Sequence, residues 1–208
     1  MISPFIYHKI KKSAKDKNLT IPQNYEEILQ RYKSIGKVDK RLIVFSWAMD
    51  AGENVLNASP KMPGCVLLNS AWAARVVLYD NEDTINAFKI TVGHELTHKD
   101  KEVRELLHLK INRKFIARVS EVHADFGAAQ KMFCSNRNAL LASIDYKKLL
   151  KKVDNEDFRH PTWQRRKEYV LNYDFNEELI RIIANDVNCH NEKLIKRVVN
   201  FYDEIILN

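Results

Sequence analysis

The sequence contains few of the residues that build loop-rich or disulfide-stabilised folds. Its 208 residues include only five glycines, five prolines and three cysteines. Scarce glycine and proline argue against an all-β fold with many tight turns. Long stretches in which apolar residues recur at helical spacing favour a mostly helical fold. An odd number of cysteines outside any CxxC pattern argues against a disulfide framework and a zinc ribbon. We therefore expect one compact domain over residues 1–208 with reduced cysteines.

Long apolar runs are also missing. No segment approaches the roughly 20 apolar residues of a bilayer-spanning helix, and the lysine-rich residues 1–20 lack the apolar run and cleavage site of a signal peptide. We expect a soluble, cytoplasmic protein without a membrane span. The net charge of +7 would favour acidic partners, but the lysines are scattered and no nucleic-acid-binding motif is evident. Solvated lysine faces are the favoured interpretation, and a nucleic-acid partner is not expected.

The hydrophobic pattern predicts two short strands and a series of helices. Residues 41–47 (RLIVFSW) and 65–69 (CVLLN) are apolar enough for buried strands. A short helix is expected before them, over residues 25–32. From Asp83 onward the apolar residues recur at helical spacing, and further helices are predicted to begin near Ser120 and to cover residues 139–153, 177–187 and 191–206. The sequence predicts an α+β fold, mostly helical, with a small sheet.

A metal site is indicated by the segment HELTH at residues 94–98. On a helix, His94 and His98 project from one face, one turn apart, and can share one metal ion. Imidazole nitrogen suits zinc, and Glu95 can reach a water at the metal without being a ligand, as a general base requires. The alternative is a pair of solvated histidines on a surface helix, which the apolar neighbours Val92 and Leu96 make less attractive.

A third ligand is needed, because catalytic zinc sites combine three protein ligands with an open position. The segment SEVHAD at residues 120–125 supplies candidates. Glu121 and Asp125 lie one helical turn apart, so Glu121 can bind the metal while Asp125 accepts the free N–H of a liganding histidine. His123 lies about 200° round the helix from Glu121, so both cannot face the metal, and Glu121 is favoured.

These motifs resemble those of the gluzincin zinc metallopeptidases, which include the heat-shock membrane protease HtpX, the CAAX prenyl endopeptidases and the soluble minigluzincins. HELTH followed by EVHAD resembles their HExxH and ExxxD helices, and two further segments match in order: Asn57 to Gly64 leading into CVLLN, and HPTWQRR at residues 160–166. The resemblance implies a zincin-like domain with a core over residues 57–166 and an active-site helix carrying HExxH. It also implies one zinc ion per chain. A helical C-terminal extension over residues 175–208 follows that core.

Two residues of the HPTWQRR segment have two possible roles each. His160 or Arg166 could stabilise the oxyanion or order the wall of the active site. Alternatively, Pro161 begins a helix and Arg166 makes a structural ion pair. For Arg166 the structural role is favoured.

We expect the substrate to pair with a strand at the edge of the cleft. A strand beside the metal can bind an extended chain through main-chain hydrogen bonds. The residues predicted to form this edge strand are Val66, Leu67, Leu68 and Asn69.

The predicted function is a zinc endopeptidase acting on peptides or unfolded polypeptides. Two other interpretations stay open: a non-catalytic zinc-binding module that recognises a protein or nucleic acid, and another zinc hydrolase such as an amidase. Glu95 favours the peptidase, because a non-catalytic site has no need of a base. The oligomeric state does not follow from the sequence.

Overall fold

The computed structural model describes residues 81–98, 112–150 and 154–206, with side chains to residue 204. It also describes the backbone of three strands between residues 42 and 69, and four single positions near the N-terminus. The helix predicted over residues 25–32 lies outside the described residues.

The region described after residue 80 contains six helices. They are α1 (Glu82–Thr97), α2 (Arg113–Phe133), α3 (Arg137–Leu150), α4 (Trp163–Asn172), α5 (Glu177–Asp186) and α6 (Glu192–Ile206). The helices predicted over residues 139–153, 177–187 and 191–206 are confirmed within a few residues at each end. The second helix begins at Arg113, earlier than the predicted start near Ser120.

Four helices begin at a side chain that caps the backbone. Asn81, Thr162, Asn176 and Asn191 each accept a hydrogen bond from the backbone N–H three residues later, at 2.9 to 3.2 Å. These bonds satisfy donors that the first turn of a helix leaves without an intrahelical partner. The cap of α1 is therefore Asn81, two residues before Asp83, where the sequence places the beginning of the helical spacing.

The helices enclose two buried clusters, and α2 contributes to both. The first lies between α2 and the C-terminal helices α5 and α6, and includes Phe115, Val122, Ile183, Val198 and Tyr202. The second lies between α1, α2, α3 and α4, and includes Ile90, Ala128, Leu140, Ile144 and Val170. Because α2 is packed on both sides, its residues have well-defined positions relative to the neighbouring helices.

The three strands form a small sheet, of which only the backbone is described. They are β1 (Leu42–Ser46), β2 (Ala58–Met62) and β3 (Cys65–Asn69), in the order β1-β3-β2. β1 is parallel to β3 and β2 is antiparallel to it. The predicted strands at 41–47 and 65–69 are confirmed, whereas β2 was not expected because Pro60 lies within it.

The predicted α+β fold class is wrong for the part of the chain whose side chains are described. That part consists of helices and contains no strand, and its two buried clusters are built from helical residues and the turns between helices. In these two clusters the helices bury their apolar faces against one another. The described core is therefore that of a helical fold.

The prediction that Val66, Leu67, Leu68 and Asn69 form an edge strand is also wrong. These residues belong to β3, which is the central strand of the sheet and pairs with β1 on one side and β2 on the other. Its backbone hydrogen-bonding groups are used within the sheet, so β3 cannot accept a further strand.

No helix within the described ranges is both long enough and apolar enough to cross a bilayer.

Candidate metal centre

Helices α1 and α2 pack closely because glycine occupies each helix at the contact. A Cβ atom at Gly127 would lie 2.5 Å from Cγ2 of Thr97, and one at Gly93 would lie 2.8 Å from Cγ of Met132. Both distances are shorter than any normal carbon–carbon contact. The two glycines thus let the helices approach to a distance at which side chains from both can share one ion.

Three potential ligand atoms meet where these helices face each other. His94 belongs to the last turn of α1, and His98 caps that helix while keeping helical backbone angles. Nε2 of His94 lies 3.1 Å from Oε2 of Glu121 on α2 and 3.0 Å from Nε2 of His98. His98 Nε2 lies 3.6 Å from the same glutamate oxygen. The group formed by these three side chains could hold a metal ion.

The second ring nitrogen of His94 contacts Asp125, one turn after Glu121. The distance from Nδ1 to Oδ1 is 2.9 Å. Nε of Arg166 on α4 donates to the other oxygen of Asp125 at 2.7 Å, and a terminal nitrogen of the same guanidinium donates to Oδ1. Asp125 therefore holds the ring of His94 and is itself held by Arg166.

Within the described region, the buried side chains of Asp, Glu, Arg and His all lie at or next to this centre. Their exposed fractions are 8% for Glu95, 7% for Glu121, 3% for Asp125 and 5% for Arg166. His94 and Arg118 complete the set. Buried charges are costly unless they are paired or bind a metal, and they concentrate at functional sites. Such a concentration in one place indicates a site.

Hydrogen bonds stabilise the ionised form of both carboxylates of α2, and the charge of Arg166 adds to this for Asp125. Burial raises the pKa of Glu121, but hydrogen bonds with His160, His94 and His98 outweigh it and hold that pKa well below its ordinary value. Burial likewise raises the pKa of Asp125, and the charge of Arg166 with the hydrogen bond from His94 brings it below its ordinary value. Both side chains therefore carry negative charge where a cation would bind.

His160 reaches the centre from the loop before α4. Its Nε2 lies 3.3 Å from Oε2 of Glu121, and its side chain is 45% exposed. Its Nδ1 lies 2.8 Å from Oδ2 of Asp157. The hydrogen bond with Glu121 raises the pKa of His160, burial opposes that shift, and Asp157 adds to it. The imidazole thus lies between two carboxylates at the open side of the site.

The structure brings together His94, His98, Glu121 and Asp125, with His160 and Arg166 in contact with the two carboxylates. Glu95 is buried in the same turn of α1, and its charge contributes to raising the pKa of Arg166. His123 points elsewhere, since its ring centre lies 5.0 Å from that of Phe175 and 4.6 Å from that of Tyr202. For the predicted strand Val66 to Asn69 the structure describes the backbone alone.

Three neighbours of the site were not predicted: Ser120, Asp157 and Arg118. Oγ of Ser120 lies 3.4 Å from Nδ1 of His98. Arg118 donates to the backbone oxygen of Asp157. The one available signal was the aspartate three residues before His160, a spacing typical of a turn closed by a side chain.

Comparison of the chain with protein-family models, with curated proteins and with solved structures gives no match.

Proposed function

We propose that the protein is a zinc-dependent endopeptidase that hydrolyses peptide bonds in extended or unfolded polypeptides. The observation that carries the proposal is that Glu95 is buried and directly follows His94 in the sequence. His94 belongs to the group of three side chains that could hold a metal ion. A carboxylate in that position is needed for catalysis and is not needed for metal binding alone.

The three candidate ligands fit zinc in chemistry and spacing. Two imidazole nitrogens and one carboxylate form the ligand set of several zinc hydrolases. With zinc–ligand bonds of about 2.0–2.1 Å, tetrahedral ligand atoms lie roughly 3.4 Å apart. The corresponding separations here are 3.0, 3.1 and 3.6 Å. The ligand set supports one zinc ion per chain, with a fourth position open.

Each residue of the centre has a distinct role in the proposed hydrolysis. Zinc held by His94, His98 and Glu121 would polarise the scissile carbonyl and lower the pKa of the attacking water. Glu95 takes a proton from that water and passes it to the leaving amine. Asp125 fixes the ring of His94, and Arg166 fixes Asp125. Arg166 therefore acts through a structural ion pair and not as a donor to the oxyanion. His160 donates from Nε2 to the carbonyl oxygen as negative charge develops on it.

The burial of the site supports an extended substrate. Glu95, Glu121 and His94 are each more than nine-tenths buried, so a peptide bond within a compact folded protein cannot reach them. A locally unfolded chain can. The described cysteines, Cys134 and Cys189, are free thiols, which agrees with the cytoplasmic location that we propose for this activity.

Replacing Glu95 tests this function. Glu95→Gln removes the base but no ligand, so the variant should keep its zinc and lose about 10²- to 10⁴-fold in the rate of hydrolysis of unfolded casein. Elemental analysis and a cleavage assay measure the two quantities. The matched control is Glu82→Gln, which alters an exposed glutamate of the same helix and should cleave at the wild-type rate. Wild-type turnover by Glu95→Gln would rule out this mechanism.

A metal-binding protein without turnover is the second candidate. It is favoured by His160, whose Nε2 lies close enough to Glu121 Oε2, at 3.3 Å, to become a fourth ligand after a small movement. A closed set of four ligands is typical of structural zinc sites. If the protein only binds metal, His160→Ala should lose zinc affinity. If it is an endopeptidase, His160→Ala should bind zinc as the wild type does.

A further inference from the structure

The loop between α3 and α4 carries His160 and is anchored to the start of α4. The carboxylate of Asp154 accepts hydrogen bonds from the backbone N–H groups of Trp163, at 2.7 Å, and Gln164, at 3.0 Å. These bonds satisfy donors of the first turn of α4. The beginning of the described loop, at Asp154, is therefore tied to the start of α4.

Asp157 closes a turn within this loop. Its Oδ1 accepts hydrogen bonds from the backbone N–H groups of Arg159 and His160, both at 2.7 Å. Its own N–H donates to the backbone oxygen of His160 at 3.0 Å. The same carboxylate lies 3.0 Å and 2.8 Å from Nδ1 of the His160 ring through its two oxygens. One side chain therefore holds both the backbone and the ring of His160.

Arg118 connects this turn to α2, one turn before Glu121. One of its terminal nitrogens donates to the backbone oxygen of Asp157 at 3.0 Å and lies 2.8 Å from the carboxylate of Glu156. Arg118 is only 2% exposed, and among the described residues its Nε has no hydrogen-bond partner. Burying an unpaired donor is unfavourable, so the bonds to the loop are what offset the burial of this arginine.

We propose that Asp157 is a positioning residue that holds the His160 ring with Nε2 facing Glu121 and the open side of the metal centre. This proposal rests on the proposed hydrolysis, in which His160 is the group that Asp157 serves. Without Asp157, a ring that is nearly half exposed would exchange between rotamers. A ring already oriented for the reaction needs no ordering at the moment of reaction.

A double-mutant cycle tests the proposal. Asp157→Ala and His160→Ala are each expected to lower kcat by about ten- to a hundredfold, with little change in KM and in zinc content. The double variant should be no slower than His160→Ala, because Asp157 acts only through that ring. Arg159→Ala is the matched control: it alters an exposed side chain of the same turn and keeps its backbone N–H, so wild-type kcat is expected.

Asp157→Asn separates the ring contact from the turn. Its amide oxygen can still accept the two backbone hydrogen bonds, but the second carboxylate oxygen facing Nδ1 is gone. A loss of kcat in both the Asn and the Ala variant supports the proposal. Wild-type kcat in the Asn variant, or a further loss from Asp157→Ala in the His160→Ala background, would show that Asp157 only shapes the loop and overturns it.

A measurement that does not depend on catalytic activity tests the positioning role of Asp157 separately from the proposed function. Three-bond couplings in NMR spectra of the chelator-treated protein report the χ1 rotamer of His160. A single rotamer in the wild type and averaged couplings in Asp157→Ala are expected. If the wild type cleaves no casein, the proposed function fails, and these couplings still decide whether Asp157 orients the ring. Averaged couplings in the wild type overturn the proposal.

Discussion

Glu121 and His123 are separated by one residue and face opposite sides of α2. Glu121 contacts His94 and His98, whereas the ring of His123 packs against Phe175 and Tyr202. We predict that Glu121→Ala loses most of its bound zinc, because it lacks a ligand, and that His123→Ala keeps it. Elemental analysis of the purified, folded variants measures this. Loss of zinc from the His123 variant alone would contradict the ligand assignment.

Asp125 contacts both the His94 ring and the Arg166 guanidinium with one buried carboxylate, so its replacement should have two effects. Asp125→Asn should weaken zinc binding by about ten- to a hundredfold, the usual scale for residues that orient liganding histidines. It should also lower the free energy of unfolding by about 3–5 kcal/mol, because Arg166 is left buried without its counter-charge. Zinc titration and urea denaturation measure the two quantities.

The control for Asp125 is an ion pair nearer the surface. Asp145 accepts hydrogen bonds from Lys167 at 2.7 Å, and its side chain is 46% exposed. Asp145→Asn should cost less than about 1 kcal/mol, since exposed pairs contribute little, and should leave zinc binding unchanged. Equal losses of unfolding free energy in the two variants would mean that the buried pair of Asp125 with Arg166 stabilises the fold no more than the exposed pair does.

The part of the site that lies on helices was predictable from the sequence, and the part on a loop was not. The four-residue spacings of His94 and His98 and of Glu121 and Asp125 fix each pair on one helical face. The contact of His160 with Asp157 and Glu121 depends on how the loop before α4 folds. Spacing along the sequence does not determine that path, and this is why two roles stayed open for His160.

At the scale of the elements, the contact between α1 and α2 depends on the missing side chain of Gly127. We predict that Gly127→Ala forces the helices apart, because its Cβ would lie 2.5 Å from Cγ2 and 2.7 Å from Oγ1 of Thr97. The expected cost is about 1–3 kcal/mol of unfolding free energy. Zinc affinity should fall as well, since the ligands come from both helices. Thermal denaturation and zinc titration measure both losses.

Adding Thr97→Ala to Gly127→Ala tests whether the clash with Thr97 causes the predicted loss of zinc affinity. It removes the two atoms nearest to the new Cβ and leaves Cβ of residue 97, at 3.1 Å, as the next nearest. The double variant should recover part of the lost zinc affinity. If Gly127→Ala alone binds zinc like the wild type, the close approach of the helices is not required for the site.

The helices could be predicted where their apolar period continues without interruption, as in α5 and α6. The start of α2 was placed too late because basic residues around Arg113 obscured the pattern, although Phe115, Ile116 and Val119 are buried at helical spacing. The fold class failed for another reason. Two strands were correctly recognised, but the sequence does not tell whether a short sheet or a set of helices organises the core.

At the scale of the whole molecule, the C-terminal helices form part of the core that supports the site. Leu179 and Ile183 of α5 and Val198 and Tyr202 of α6 are in the same buried cluster as Val122 of α2. Val122 lies about 100° round α2 from Glu121, and His123, on the opposite side of α2, packs against Tyr202 of α6. The side of α2 away from the metal centre is therefore covered by these helices. Single apolar residues far from the ligands therefore contribute to the position of Glu121.

The division of the ligands between two helices has a thermodynamic consequence. α1 supplies His94 and His98, and α2 supplies Glu121, so a bound ion would cross-link them, and only the folded chain offers all three ligands together. By mass action, zinc at about a thousand times its Kd would add about 4 kcal/mol to the free energy of unfolding. For a chain of this length we predict that a chelator lowers Tm by roughly 8 to 16 °C.

Differential scanning calorimetry with zinc and with chelator measures this shift, and Glu121→Ala should show little of it. An equal Tm in both conditions would mean that the ion does not hold the helices together. If the shift is present, zinc supply sets the fraction of chains that are folded as well as the fraction that can react. Under zinc starvation, unloaded chains would then unfold more often and be degraded sooner.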